Sequence, residues 1–272
     1  MKSIYMISYY GGMFGEFICT QLSKDQNFYS VEPEVTDSNR YLYGNPFLKY
    51  GLNLKLFDSE KTNIDTASLD NDFSEKNLCF PSHIFQKDMS YLNIPRVKFV
   101  RIYSSDRDIL LLGYIMGWIK SLVSTNNLSE WTQEFERYID NKESVEYYNL
   151  IKQRGYFYWF EKLSMKHKVY NIKEFIDYWW DCYKKYNDKR WDQWEYIDVG
   201  KLFLDYKNSK DYWKEFFDLD SYLDNNDLQG YYFKNLEIFK EEFNMSFEDF
   251  KIKNNWNELL YNWVKLKIKK AA

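Results

Sequence analysis

The stretch IYMISYYGGMFGEFICTQL, residues 4–22, decides how this 272-residue chain is read. Residues 3–9 (SIYMISY) are an apolar run rich in β-formers that stops at Gly11 and Gly12, which predicts a buried first strand. Residues 15–25 carry Phe17, Ile18, Gln21 and Leu22 near three-to-four spacing, which predicts a helix. Strand, glycine-rich turn and helix start are the layout in which helix N-terminal amides meet an anion. Gly11, Gly12 and Gly15 would let the backbone approach phosphate oxygens, with Met13 and Phe14 completing the turn. The side chains do not follow suit. No Lys or Arg lies between Lys2 and Lys24. Against the nucleotide-triphosphatase pattern GxxxxGK[ST], Tyr10 stands for the first glycine, Glu16 for the lysine and Phe17 for the hydroxyl residue, so a loop of that kind is excluded. Glu16 suits the first turn of a helix electrostatically, and it is also a candidate catalytic base. Unprotonated and facing the turn, it would repel a phosphate. A tight turn with no ligand stays open beside the anion site.

Outward from this stretch, the punctuation points to one α/β domain: a P-loop-like parallel sheet flanked by helices, with a helix-rich C-terminal half. Residues 26–78 are polar and loop-rich, an insertion with room for a strand or small helices. Strands are predicted at 78–86 (LCFPSHIFQ, a strand end meeting a loop), 96–103 (RVKFVRIY) and 194–199 (WEYIDV). A helix capped by Ser105 or Asp106 runs to about residue 124, and its body, DRDILLLGYIMGWIKSLV, is apolar almost all round, as befits a buried helix. Helical periodicity then predicts segments at 129–140, 143–166 and 172–187, together a helical addition over 129–190. Further helices are expected at 201–204, 209–217, 226–243 (capped by Asn226 or Asp227) and 247–268, the last opening with a Ser246/Asp249 capping box.

Bulk properties narrow the class. A 45% hydrophobic fraction excludes disorder for most of the chain, and only 10 Gly and 4 Pro imply long helices. Aromatics reach 21%, alongside many Asn, Lys and Ile, which looks like AT-rich coding; such a compact, biased chain suits a virus-encoded protein in the host cytoplasm. Coding bias also makes core filler the plain reading of the Tyr178, Trp179, Cys182 and Tyr186 stripe. A net charge of −4 gives no global field to recruit nucleic acid, and the basic end at 265–270 (KLKIKK) reads as a solvated helix terminus. Three cysteines without CxxC spacing indicate buried or idle thiols in a reducing compartment. No run reaches transmembrane length and the start lacks a signal-peptide plan, so a cytoplasmic protein is expected. The two histidines and the cysteines show no metal-ligand spacing, and no GxSxG elbow places a hydrolase nucleophile.

Three segments fall in order: strand–Gly loop–helix at 4–22, PSHIF at 81–85, and VKFVRIYSSDRDILLLGYI at 97–115. This order resembles the P-loop sulfotransferases, and YIDVGKLFLD at 196–205 resembles their later strand and the segment after it. The resemblance implies a donor, 3′-phosphoadenylyl sulfate, leaving as 3′-phosphoadenosine 5′-phosphate. Its 5′-phosphosulfate would sit on Gly11, Gly12, Met13, Phe14 and Gly15, and its 3′-phosphate on Arg101 with Ser104 or Ser105. His83 would be the general base toward a hydroxyl of a glycan or small molecule. The chemistry agrees: an arginine fork at a parallel strand's carboxyl end suits phosphate, and sulfuryl transfer depends on charge stabilisation. The departures are the loop without a cation and Ile109 where the family carries the later serine. Three alternatives stay open: a non-catalytic interaction or virion-associated protein on a degenerate scaffold, another nucleotide or sugar-phosphate transferase, and plain structural roles. In the last case His83 would bond backbone and Arg101 would pair with Asp106 or Asp108.

Overall fold

A computed structural model describes residues 2–9, 14–35, 41–43, 47, 49, 65–73, 75–82, 96–123, 177, 180, 194–256, 258, 259, 262, 263 and 266. In chain order they form β1 (Ile4–Ser8), α1 (Gly15–Ser23), β2 (Glu34–Val35), β3 (Tyr41–Leu42), α2 (Thr66–Asp72), β4 (Leu78–Ser82), β5 (Val97–Tyr103), α3 (Arg107–Val123), β6 (Trp194–Asp198), α4 (Val199–Leu204), α5 (Tyr206–Phe217), α6 (Asn225–Phe243) and α7 (Phe247–Lys251). The fold is α/β, a parallel sheet with helices, and helix dominates its C-terminal half. Among the described residues no helix is long and apolar enough to cross a membrane. The helices expected at 129–140, 143–166 and 172–187 lie outside the described residues, apart from helical Asp177 and Trp180.

The chain divides into two compact units, Met1–Tyr114 with Arg190–Lys234, and Ile115–Lys189 with Asn235–Ala272. The first holds a four-stranded sheet of order β4-β1-β5-β6, all parallel. Every residue of β1 and β4 is buried, which is why both read as continuous apolar runs rather than alternating ones. Pro81 cannot donate to a ladder, and β4 accordingly sits at the edge of this sheet. From β1 the chain runs through α1 towards β4 on one side, and from β5 through α3 towards β6 on the other. Their exits therefore diverge between β1 and β5, the switch point where open parallel sheets form a crevice at their carboxyl ends. The 26–78 region contributes the antiparallel pair β2–β3 and α2, whose cap is Asp65 accepting from the Ser68 amide at 3.0 Å.

Rings fill the first unit. Phe17 lies flat against Tyr231 at 3.8 Å between centroids, with Tyr41 edge-on to both at 5.1 and 5.3 Å. In the second unit Phe239, Phe243, Phe250, Trp256 and Trp263 form a similar cluster. Here the expected 247–268 helix is interrupted. Helix α7 ends at Lys251, and residues 252–255 leave the helix before Trp256 resumes it. The reason is local: the Trp256 indole stacks on Phe250 at 5.5 Å and its Nε1–H donates to the Phe250 carbonyl at 2.9 Å, which closes α7 from its side. The Ser246 capping box holds, with Oγ accepting from the Asp249 amide at 3.0 Å. For α6 the cap falls earlier than Asn226 or Asp227. Asp224 accepts from the Asn226 amide at 2.7 Å, and Asp227 instead meets Lys24.

Candidate functional site

The carboxyl end of the sheet is built from one register row. Ser82 of β4 lies level with Ser8 of β1, Ser8 level with Arg101 of β5, and Arg101 level with Tyr196 of β6. The first three of these residues come from the three segments that stood in order in the sequence, so the fold brings the ends of all three to one edge. Arg101, half-buried, donates from Nη1 to Ser8 Oγ at 2.9 Å across the β1–β5 seam, and Ser8 is fully buried. The guanidinium is thus held over the end of β1, next to the start of the glycine-rich turn. His83 follows Ser82 directly but lies outside the described residues, as do Gly11, Gly12 and Met13.

What flanks the turn is described. The Tyr9 amide continues the β1–β4 ladder by donating to the Ser82 carbonyl at 3.1 Å. Its ring, 5% exposed, lies against Gly15: a Cβ there would come within 2.0–2.3 Å of three ring carbons. Glycine at position 15 is therefore required by Tyr9, a reason independent of any ligand. Phe14 caps α1 in the left-handed region, at φ 63° and ψ 16°, without a side-chain cap bond. A non-glycine residue there carries local strain, offset by its buried ring, which is edge-on to Phe203 at 5.0 Å and to Tyr231 at 6.0 Å. Both aromatics are buried, Tyr9 at 5% and Phe14 at 7% exposure. Glu16 stands partly exposed in the first turn of α1, where its charge favours the helix.

The loop after β5 is tied down by hydrogen bonds. Ser104, fully buried, donates from Oγ to the Asp106 carbonyl at 2.8 Å and accepts from the Asp106 amide at 3.0 Å. Asp106 caps α3, its Oδ1 accepting from the Asp108 amide at 2.8 Å. The Ser105 hydroxyl donates to Asp198 Oδ2, and its amide donates to Asp198 Oδ1 at 3.1 Å. The same Oδ1 takes the Gly200 amide at 2.9 Å and so caps α4. Asp198 is 6% exposed, which suits a carboxylate that supplies acceptors to three donors.

Cys19 of α1 and Cys79 of β4 are buried free thiols, in line with the expectation of idle cysteines. Cys79 Sγ–H donates to the Cys19 carbonyl at 3.4 Å, and burial, with Cys79 beside it, pushes the Cys19 thiol well up. Neither is poised as a nucleophile. Among the described residues no group of three or more His, Cys, Asp or Glu could hold a metal ion.

Sequence reasoning missed two residues that shape this edge: Ser8 and Asp198. Asp198 had a signal, since an Asp directly before the expected helix turn reads as a cap. Ser8 had none, because only register sets it beside Arg101. The chain matches no protein-family model and no curated protein.

Proposed function

We propose that this chain is a sulfotransferase-like P-loop α/β protein that binds 3′-phosphoadenylyl sulfate at the β1–β5 crevice and transfers its sulfuryl group to a hydroxyl of a glycan or small molecule. One observation carries the reading: the Ser82–Ser8–Arg101 row joins the ends of the three ordered segments at the sheet's switch point. In this reading the amides at the start of α1 and the Arg101 guanidinium hold the donor's anionic groups, and His83 accepts the hydroxyl proton as the oxygen attacks sulfur. The S–O bond to the acceptor forms as the bond to the phosphate oxygen breaks, and 3′-phosphoadenosine 5′-phosphate leaves.

A second reading, a non-catalytic interaction protein on the same scaffold, is favoured by the Tyr9 ring against Gly15 and by the bonds that Ser104 and Ser105 already make. Thermal unfolding separates the two. The donor-site reading expects Tm to climb steadily with 3′-phosphoadenosine 5′-phosphate up to millimolar levels, since a ligand of the native state stabilises by mass action. An unchanged Tm over that range overturns it in favour of the scaffold.

A further inference from the structure

We infer that Asp198 is a specificity-determining residue. Its carboxylate already holds the donors that the loop after β5 would offer to a second phosphate, so a 3′-phosphate adds little to binding and the site accepts nucleotides that lack one. This rests on the donor-site reading above, with the 3′-phosphate approaching Ser104 and Ser105. Of those two, Ser104 is fully buried and Ser105 is exposed, so Ser105 is the one a ligand meets first. Both of its donors are taken by one group. The Ser105 amide donates to Asp198 Oδ1 at 3.1 Å, and its hydroxyl donates to Asp198 Oδ2. Ser104 turns its hydroxyl into the loop itself, donating to the Asp106 carbonyl at 2.8 Å.

Two carboxylate oxygens facing one N–H and one O–H are what a phosphate would present to the same serine, so the chain's own anion stands in the ligand's place. Asp198 does not give way easily. It is 6% exposed, and the Oδ1 that takes the Ser105 amide also takes the Gly200 amide at 2.9 Å and caps α4. Turning the carboxylate out would strand the buried Gly200 amide, and an unmet buried donor costs more than a made bond contributes. With Asp198 in place, a phosphate at Ser105 would meet a like charge at hydrogen-bond range of the same hydroxyl.

The test is calorimetry on the whole chain with two probes, adenosine 5′-phosphate and 3′-phosphoadenosine 5′-phosphate. Wild type is expected to bind the two within about tenfold of each other. Asp198→Asn keeps an acceptor oxygen for the Ser105 and Gly200 amides, and with it the α4 cap. It removes the charge, and its NH2 donates to the Ser105 oxygen, whose own O–H is released. This variant should tighten the bisphosphate about tenfold and leave adenosine 5′-phosphate as it was. Adding Ser105→Ala should take most of that gain away, because the released hydroxyl is gone. A wild type that favours the bisphosphate by more than about tenfold overturns the assignment, a ratio that needs no variant to fold. So does an Asp198→Asn protein that binds both probes as wild type does or tightens both alike, and so does a gain that survives Ser105→Ala. Each of these leaves the donor site standing. If wild type binds neither probe, the donor-site reading falls and this inference falls with it.

Discussion

The two ends of the parallel sheet share one device, a buried carboxylate that gathers backbone amides, and differ in what stands beside it. At the amino end, side chains close off backbone groups one after another. Asp25, just past α1 and 6% exposed, accepts from the amides of Asn27, Asp220 and Ser221 at 2.9, 3.1 and 3.0 Å. The Asn77 side chain accepts from the Ser3 amide at 3.0 Å, and the Tyr5 hydroxyl donates to the Phe216 carbonyl at 3.2 Å. At the carboxyl end the strands terminate on Ser82, Ser8 and Arg101, and an arginine fork is aimed along the edge. Here too a buried carboxylate, Asp198, gathers the amides of Ser105 and Gly200. Beside it stands the Arg101 guanidinium, bonded to Ser8. The proposed donor site would lie at the second of these edges, where open parallel sheets place their ligands.

The contrast can be broken most strongly at Asp25. Asp25→Ala strands three amides at once and should cost on the order of 3 kcal/mol in a urea titration, with no change in nucleotide affinity. A comparable shift in affinity would mean that the two ends are coupled rather than separate. Next in size is Gly15→Ala, which drives a methyl into the Tyr9 ring and should cost about 2 kcal/mol. In a Tyr9→Ala background most of that loss should vanish, because the clash partner is gone. If the loss persists, Gly15 serves something other than Tyr9, and the ligand cradle regains its claim.

The smallest effect is a pH dependence that belongs to tyrosines: the Leu223 amide donates to the Tyr206 hydroxyl at 2.8 Å. Burial raises Tyr206 from 10.0 to about 12, and it raises Tyr5 as well. A raised tyrosine pKa means that the folded state holds its proton more tightly than the unfolded chain. Its contribution is therefore complete below pH 10 and is lost as pH climbs from there through about 12. Alkaline unfolding followed by circular dichroism should start in that window, and Tyr206→Phe should flatten the slope. An unaltered slope in that variant would mean that Tyr206 contributes nothing to it.

Much of this fold was legible from local patterns. Continuous apolar runs at β1 and β4, the Ser246 capping box and the all-round apolar body of α3 each report a short-range preference that packing reinforces rather than overrides. Legibility failed where particular side-chain contacts competed with periodicity. Phe250 and Trp256 interrupt a helix whose periodicity ran straight through, and the α6 cap moved to Asp224 while Asp227 was drawn to Lys24. The site divides the same way. Arg101 and the glycine-rich turn were visible as residue types, yet the bond partners of Ser104 and Ser105 were not. A phosphate-binding serine and one held by a buried aspartate read alike in sequence.

By itself, then, the sequence determined the strands β1, β4, β5 and β6 and the helices that follow them, the burial of β1, and the lack of a cation in the turn after β1, all of which follow from composition and spacing along a few neighbouring residues. Only the tertiary structure decided that Ser82, Ser8 and Arg101 share one row, that Tyr9 claims Gly15, and that Arg101 leans towards β1. Those relations join residues far apart in the chain through parallel register, and register is set by how whole strands bury their faces, which no single segment encodes.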